Sequence, residues 1–197
     1  MADREGAPGI AYWQKTATGS AGTLTYWRPG ADSAIRVADT TASGYAPDGV
    51  QLLYAGTEPR IILDARLDRT QVSSHYAVRS ADGVSWSKPA LIPDDGNEHL
   101  GGYMSFALAA DGSAAFAGDV LGGNTDRMKC SWPKLARSRD FERWDMCAPQ
   151  GSQYPQIRTL WGSVLFAPEG MLYLVFQNRQ MNPAQGVPAG LVIWGGR

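Results

Sequence analysis

The stretch VRSADGVSWSKP, residues 78–89, joins an Arg-Ser-x-Asp turn to a tryptophan six residues after the serine. The chain carries this pattern twice. In ARSRDFERWDMC, residues 136–147, the turn recurs, with Arg79/Arg137, Ser80/Ser138, Asp82/Asp140 and Trp86/Trp144 each 58 positions apart. Self-similarity at a fixed period of this length marks a repeat architecture. A second repeated element surrounds the first. APDGVQLLYAG, AADGSAAFAG and APEGMLYLVFQ set Gly49, Gly112 and Gly170 at spacings of 63 and 58. A small residue, an acid and a glycine before an apolar run form a hairpin signature.

The repeating unit reads as four strands. YMSFALAADG is a first, inner strand ending at the Asp-Gly turn, and SAAFAGDV is the second. KCSWPKLARS is a third, ending at the Ser-x-Asp turn, and FERWDMCAP is a fourth that carries the Trp. Four-stranded antiparallel units repeated in this way predict an all-β chain folded as a β-propeller, where radial stacking protects the sheet edges. Composition agrees: 23 Gly, 12 Pro, 7 Trp and 8 Tyr describe many turns and aromatic strands. No long stretch shows the i, i+3, i+4, i+7 spacing of an amphipathic helix.

SADGVSWSKP and SRDFERWD resemble the Asp-box (BNR) repeats of sialidase-like propellers, whose usual form is Ser-x-Asp-x-Gly-x-x-Trp. Here Trp follows Ser by six positions rather than seven, and Phe141 and Glu142 stand where Gly is usual. Similar Ser-x-Asp-x-x-x-Trp turns occur in five-bladed glycosidases of the arabinanase and xylosidase type. The resemblance spans residues 45–197 and implies a structural role for Ser80, Asp82, Trp86, Ser138, Asp140 and Trp144. Ser and Asp side chains bond the turn backbone, and Trp packs between neighbouring sheets. The family's boxes lie on the rim away from the ligand face. A sialidase would further need three arginines on one carboxylate, a Tyr-Glu nucleophile pair and an acid/base Asp. Its Phe/Tyr-Arg-Ile-Pro motif is absent, and PRII at 59–62 does not replace it, so a complete sialidase site does not carry over.

In this frame residues 1–197 form one propeller domain or propeller segment. Its blades fall at about 7–44 (partial), 45–94, 102–150 and 160–197 (partial), about four in all. GIAYWQ, GTLTYWR and SAIRVAD read as second, third and fourth strands, with Arg28 in the place of Arg79. WGSVLFA, MLYLVFQ and AGLVIWGGR read as first to third strands, with Arg197 where Arg79 and Arg137 stand. Three explanations are open: a small closed ring with two reduced blades, one piece of a larger propeller, or a shortened chain. An uncovered strand edge is an aggregation hazard. The expectation is therefore a partner chain, or self-association, completing the terminal blades.

Eighteen basic and nineteen acidic residues leave a net charge of -1, with no basic stripe for nucleic acid. The apolar runs are too short to span a bilayer, and MADREGAPG has no hydrophobic signal core. Cys130 and Cys147 flank the second box. Opposite residues of a hairpin have a constant sum of positions, and the pair's midpoint of 138.5 lies near the turn, so a disulfide is expected. Two buried free thiols are the alternative. A bridge implies an oxidising compartment, secreted or periplasmic. Two cysteines without nearby histidine make no metal site, and no phosphate loop or other cofactor signature is present.

Propeller ligands sit at the channel mouth, on loops between blades and between second and third strands. EPRIILDARLDR contributes Arg60, Asp64 and Arg66, the last two on one face of an extended strand. GNEHLGGYMS contributes Glu98, His99 and Tyr103, and Trp161 precedes the next inner strand. His75, in SSHYAV, reads as a packing residue. Carboxylates, arginine and aromatic rings together suit a glycan or other small-molecule ligand, and two acids at a fixed separation suit glycoside hydrolysis. Asp64 and Glu98 are the candidate catalytic acids; Arg60, Arg66, His99, Tyr103 and Trp161 are candidate ligand contacts. The alternatives are a solvated Asp/Arg strand face and a non-catalytic protein-interaction scaffold.

Overall fold

The repeat builds four antiparallel sheets, each a run of sequence-adjacent strands. The computed structural model describes residues 8–15, 22–39, 49–65, 74–92, 100–120, 134–147, 158–179 and 190–196, and the regular elements among them are all strands. The first sheet is β1 (Ile10–Lys15), β2 (Gly22–Trp27) and β3 (Ile35–Asp39). The second is β4 (Gly49–Ala55), β5 (Glu58–Ala65), β6 (Ser74–Arg79) and β7 (Ala90–Ile92). The third is β8 (Leu100–Leu108), β9 (Ala114–Val120), β10 (Lys134–Ser138) and β11 (Asp145–Cys147). The fourth is β12 (Arg158–Phe166), β13 (Leu172–Arg179) and β14 (Gly190–Gly196). Three strands, four, four and three is the order read from the repeat, and the fold is an all-β propeller of small antiparallel sheets.

The chain divides into two compact units. One holds residues 1–92 together with Asp140–Arg143; the other holds 93–139 and 144–197. In the first unit, Leu24 and Tyr26 of β2 pack on Leu52, Ile61, Leu63 and Val78 of the second sheet. The interior strand β5 is buried on both faces: Ile61 and Leu63 point one way, Ile62 and Asp64 the other, and none is more than 2% exposed. Tyr26 and Tyr54 join hydroxyls at 2.9 Å across the core. In the second unit, Ala115, Ala117 and Leu135 pack on Val164, Leu172 and Leu174. The Val164 amide donates to Ser105 Oγ at 3.2 Å, tying β12 to β8.

Both boxes hold their turns from within. Ser80 Oγ accepts from the amides of Asp82 (3.3 Å) and Gly83 (2.8 Å), and donates to Asp82 Oδ1 at 3.0 Å. Asp82 Oδ1 accepts from the amides of Val84 and Ser85 at 2.8 and 2.7 Å. Asp140 Oδ1 repeats this with Glu142 and Arg143 at 2.9 and 2.8 Å. These amides have no ladder partner, so the carboxylates take the place of a missing strand. Trp86 meets Tyr26 edge to face, with centroids 5.2 Å apart and planes at 63°. That ring contact fastens the second sheet to the first.

The hairpin register corrects the cysteine geometry. Cys147 lies opposite Leu135, and Arg137 opposite Asp145, so the β10–β11 hairpin is centred at Phe141 rather than at 138.5. The box adds residues to the turn and carries the fourth strand further along the third. Near-opposition of Cys130 and Cys147 no longer follows from spacing. Cys130 itself lies outside the described residues.

Candidate functional site

Each sheet has two distinct ends. Strand β5 leaves a tight turn after Ala55 and pairs with β6 so that Arg60 faces Arg79, next to the first box. Four residues on, Asp64 faces His75 on one side and Gly49 on the other, at the end away from the box. At about 3.3 Å per residue the two candidates stand roughly 13 Å apart. One strand therefore delivers Arg60 and Asp64 to opposite ends.

Arg60 belongs to the box end. It is 7% exposed, and its guanidinium pairs with Glu58, donates to the carbonyl of Ser80 at 3.1 Å and lies 5.9 Å from the centroid of the Phe141 ring. Those contacts hold it between the β4–β5 turn and the two boxes, at the end of the strand away from Asp64. Arg79, at the matching place on β6, pairs with Glu142 through Nε at 3.0 Å.

Asp64 and His75 come together. Both are 0% exposed and are direct cross-strand partners, so the carboxylate and the imidazole share one face of the sheet. His75 packs inside the sheet, as read from its mid-strand position. Its place opposite Asp64 was not legible, because the register depends on the length of the segment joining β5 to β6. Arg66, Glu98 and His99 lie outside the described residues.

In the second unit the corresponding ends carry irregularities. The β8–β9 register shifts between Leu100 and Met104, bracketing Tyr103. The β12–β13 register shifts between Leu160 and Ser163, bracketing Trp161. Trp161 thus lies within β12 rather than ahead of it. Bulges bend a strand and re-aim its side chains, and they concentrate beside functional sites. Two adjacent first strands, β8 and β12, shift register at the same end, over residues 101–103 and 161–162, and the Ser105–Val164 hydrogen bond ties them side by side just beyond the shifts.

The box end of this unit holds an open cleft of about 410 Å³ lined by Leu108, Asp111, Phe166, Pro168 and Glu169 among others. Asp111 already accepts from the Ser113 hydroxyl and amide at 2.6 and 2.9 Å, and these bonds, the hydroxyl's foremost, hold its carboxyl below the usual range. Its acceptor capacity is directed into its own turn. Among the described residues no group of three or more His, Cys, Asp or Glu could hold a metal ion, and no helix is long and apolar enough to cross a membrane.

No family model matches the chain, and no curated protein matches it. Solved structures do. The α-L-arabinanase of Penicillium chrysogenum, complexed with arabinobiose, aligns with a TM-score of 0.51 at 12% identity, over 94% of this chain and 58% of its own. A Hadza microbial sialidase aligns at 0.47 and 15% identity, over 82% and 41%. The NanB sialidase of Streptococcus pneumoniae aligns at 0.48 and 11%, over 92% and 27%. The chain thus spans a little over half the length of the arabinanase. At 12% identity that alignment speaks for the fold, and the fold is the β-propeller that the sheets themselves display.

Proposed function

We propose that the chain is an extracytoplasmic, glycan-recognising propeller of the glycoside hydrolase kind, binding its ligand at the ends of the sheets away from the boxes. The observation that carries this reading is the pair of register shifts that bracket Tyr103 and Trp161 on adjacent first strands. A sugar presents an apolar ring face and a rim of hydroxyls, so it needs an aromatic platform and fixed polar partners. In this reading Tyr103 and Trp161 supply the platform, Arg66 and His99 bond hydroxyls, and Asp64 and Glu98 are the two carboxylates. Asp64 is fully buried against His75.

A glycan array and a panel of chromogenic glycosides on the wild-type protein test the reading directly. Binding that falls more than about tenfold in Trp161→Ala, about 1.4 kcal/mol, with the circular dichroism spectrum unchanged, is the expected result. Asp64→Asn should abolish hydrolysis while leaving the array signal. A blank array and a blank panel on folded protein would overturn the proposal. The second reading, an interaction scaffold completed by another chain, is favoured by β14. It pairs with β13 alone among the described strands, and its Ile193 is 64% exposed.

A further inference from the structure

Neighbouring sheets within a unit meet in one sense only. In the first unit the later face of the first sheet, with Leu24 and Tyr26, covers the earlier face of the second, with Leu52 and Ile61. In the second unit the later face of the third sheet, with Ala115 and Ala117, covers the earlier face of the fourth, with Val164 and Leu174. The strand period of two then assigns what is left over. On β1, Ala11 and Trp13 pack toward the core, so Ile10 and Tyr12 occupy the first sheet's earlier face. On the fourth sheet, Val164 is in the core, so Leu165 occupies the later face, and Ile193 joins it because it pairs with Val175 in the Ser163 row.

Both faces carry open apolar side chains, and on the first sheet Arg36 and Asp39 of the outer strand β3 lie in the Tyr12 and Gln14 rows of the same face. Ile10 is 51% exposed, Tyr12 38%, Leu165 46% and Ile193 64%. They are four of the six exposed large hydrophobic residues among those described, so the exposure is gathered on two sheet faces rather than scattered. One face is an earlier face and the other a later face. Each is the counterpart of the other in a packing mode that the chain uses in both of its units.

We propose that two copies of this chain associate head to tail, the later face of the fourth sheet of one covering the earlier face of the first sheet of the next. The contact is heterologous: Leu165 and Ile193 of one copy meet Ile10 and Tyr12 of another. It builds either a closed ring or an open chain according to the rotation per copy. The proposal rests on the propeller sheets and on the second reading above, and it is independent of glycan binding.

Light scattering on Ile10→Asp, Ile193→Asp and their equimolar mixture decides it. Both side chains are exposed, so both variants should keep the wild-type circular dichroism spectrum. Wild type should show a mass of at least twice 21.2 kDa, and each variant alone should run as a monomer. The mixture should recover a one-to-one dimer, because each variant retains the face that the other lacks. Three results would each overturn the proposal: wild type monomeric up to about 100 μM, above the weak end of standard interfaces; dissociation by only one of the two substitutions, the mark of a two-fold contact; or a mixture that stays monomeric. The glycan array does not bear on any of these outcomes.

Discussion

Phe141 takes a backbone conformation that glycine takes in the sister turn. Its φ is 64°, against 73° for Gly83 at the matching place in the first box. A left-handed non-glycine residue costs about 1 kcal/mol. The side chain offsets this: Phe141 is 2% exposed and stacks under Arg60. Phe141→Ala should lose the burial while keeping the strain, a cost of about 3–5 kcal/mol. Phe141→Gly should lose the same burial but release the strain, so urea denaturation should find it about 1 kcal/mol the milder of the two. If alanine proves no worse than glycine, the turn stores no strain at this residue. Asp82 gives a pH signature. The amides of Ser85 and Val84, then the Ser80 hydroxyl, lower its pKa from 3.8 to about 2. A carboxyl depressed in the folded state stabilises the fold fully above its unfolded pKa, and this is lost as pH falls through the folded one. Asp82→Asn should therefore flatten the rise of stability with pH between about 2 and 4. A slope unchanged in that window would assign the acid sensitivity to other carboxylates.

Elements meet at points of close approach, and there the geometry is exacting. A Cβ on Gly9, just ahead of β1, would collide with Tyr54 Oη and fall 3.2 Å from the Tyr26 ring. Gly9→Ala should displace the tyrosine pair that joins the first two sheets, at about 1–3 kcal/mol. Thermal melting would register it, and an unchanged midpoint would mean that Tyr54 swings aside freely. Strand existence was legible because alternation and Asp-Gly turns are local signals, as in the β8–β9 hairpin around Gly112. Register was not. The box lengthens the β10–β11 turn, and so sets Cys147 against Leu135. Composition groups Arg60 with Asp64, whereas strand β5 carries the two toward opposite ends of the sheet. The register shifts that bracket Tyr103 and Trp161 leave only the trace of GG and WG in the sequence, since register is a property of two paired strands.

At the scale of the molecule, charge and apolar surface make separate demands. The formal charge of -1 gives little long-range repulsion between copies. The faces proposed to meet are carried by Ile10, Tyr12, Leu165 and Ile193, and on the first sheet the Arg36–Asp39 pair of the outer strand β3 shares the Tyr12 face. Away from these faces, Arg79 pairs with Glu142 at the boxes, where both side chains are 40–50% exposed. Salt at 0.5 M shortens the screening length to a few ångströms, which weakens exposed pairs and leaves apolar burial intact. Head-to-tail association should therefore change less than about threefold in Kd between 0.05 and 0.5 M NaCl. Over the same range the Arg79–Glu142 coupling, under about 1 kcal/mol for an exposed pair, should fall toward zero in a double-mutant cycle. Sedimentation equilibrium and urea denaturation measure the two side by side. An association weakened tenfold by salt would move the contact away from the Ile10 and Ile193 faces and onto charged surface.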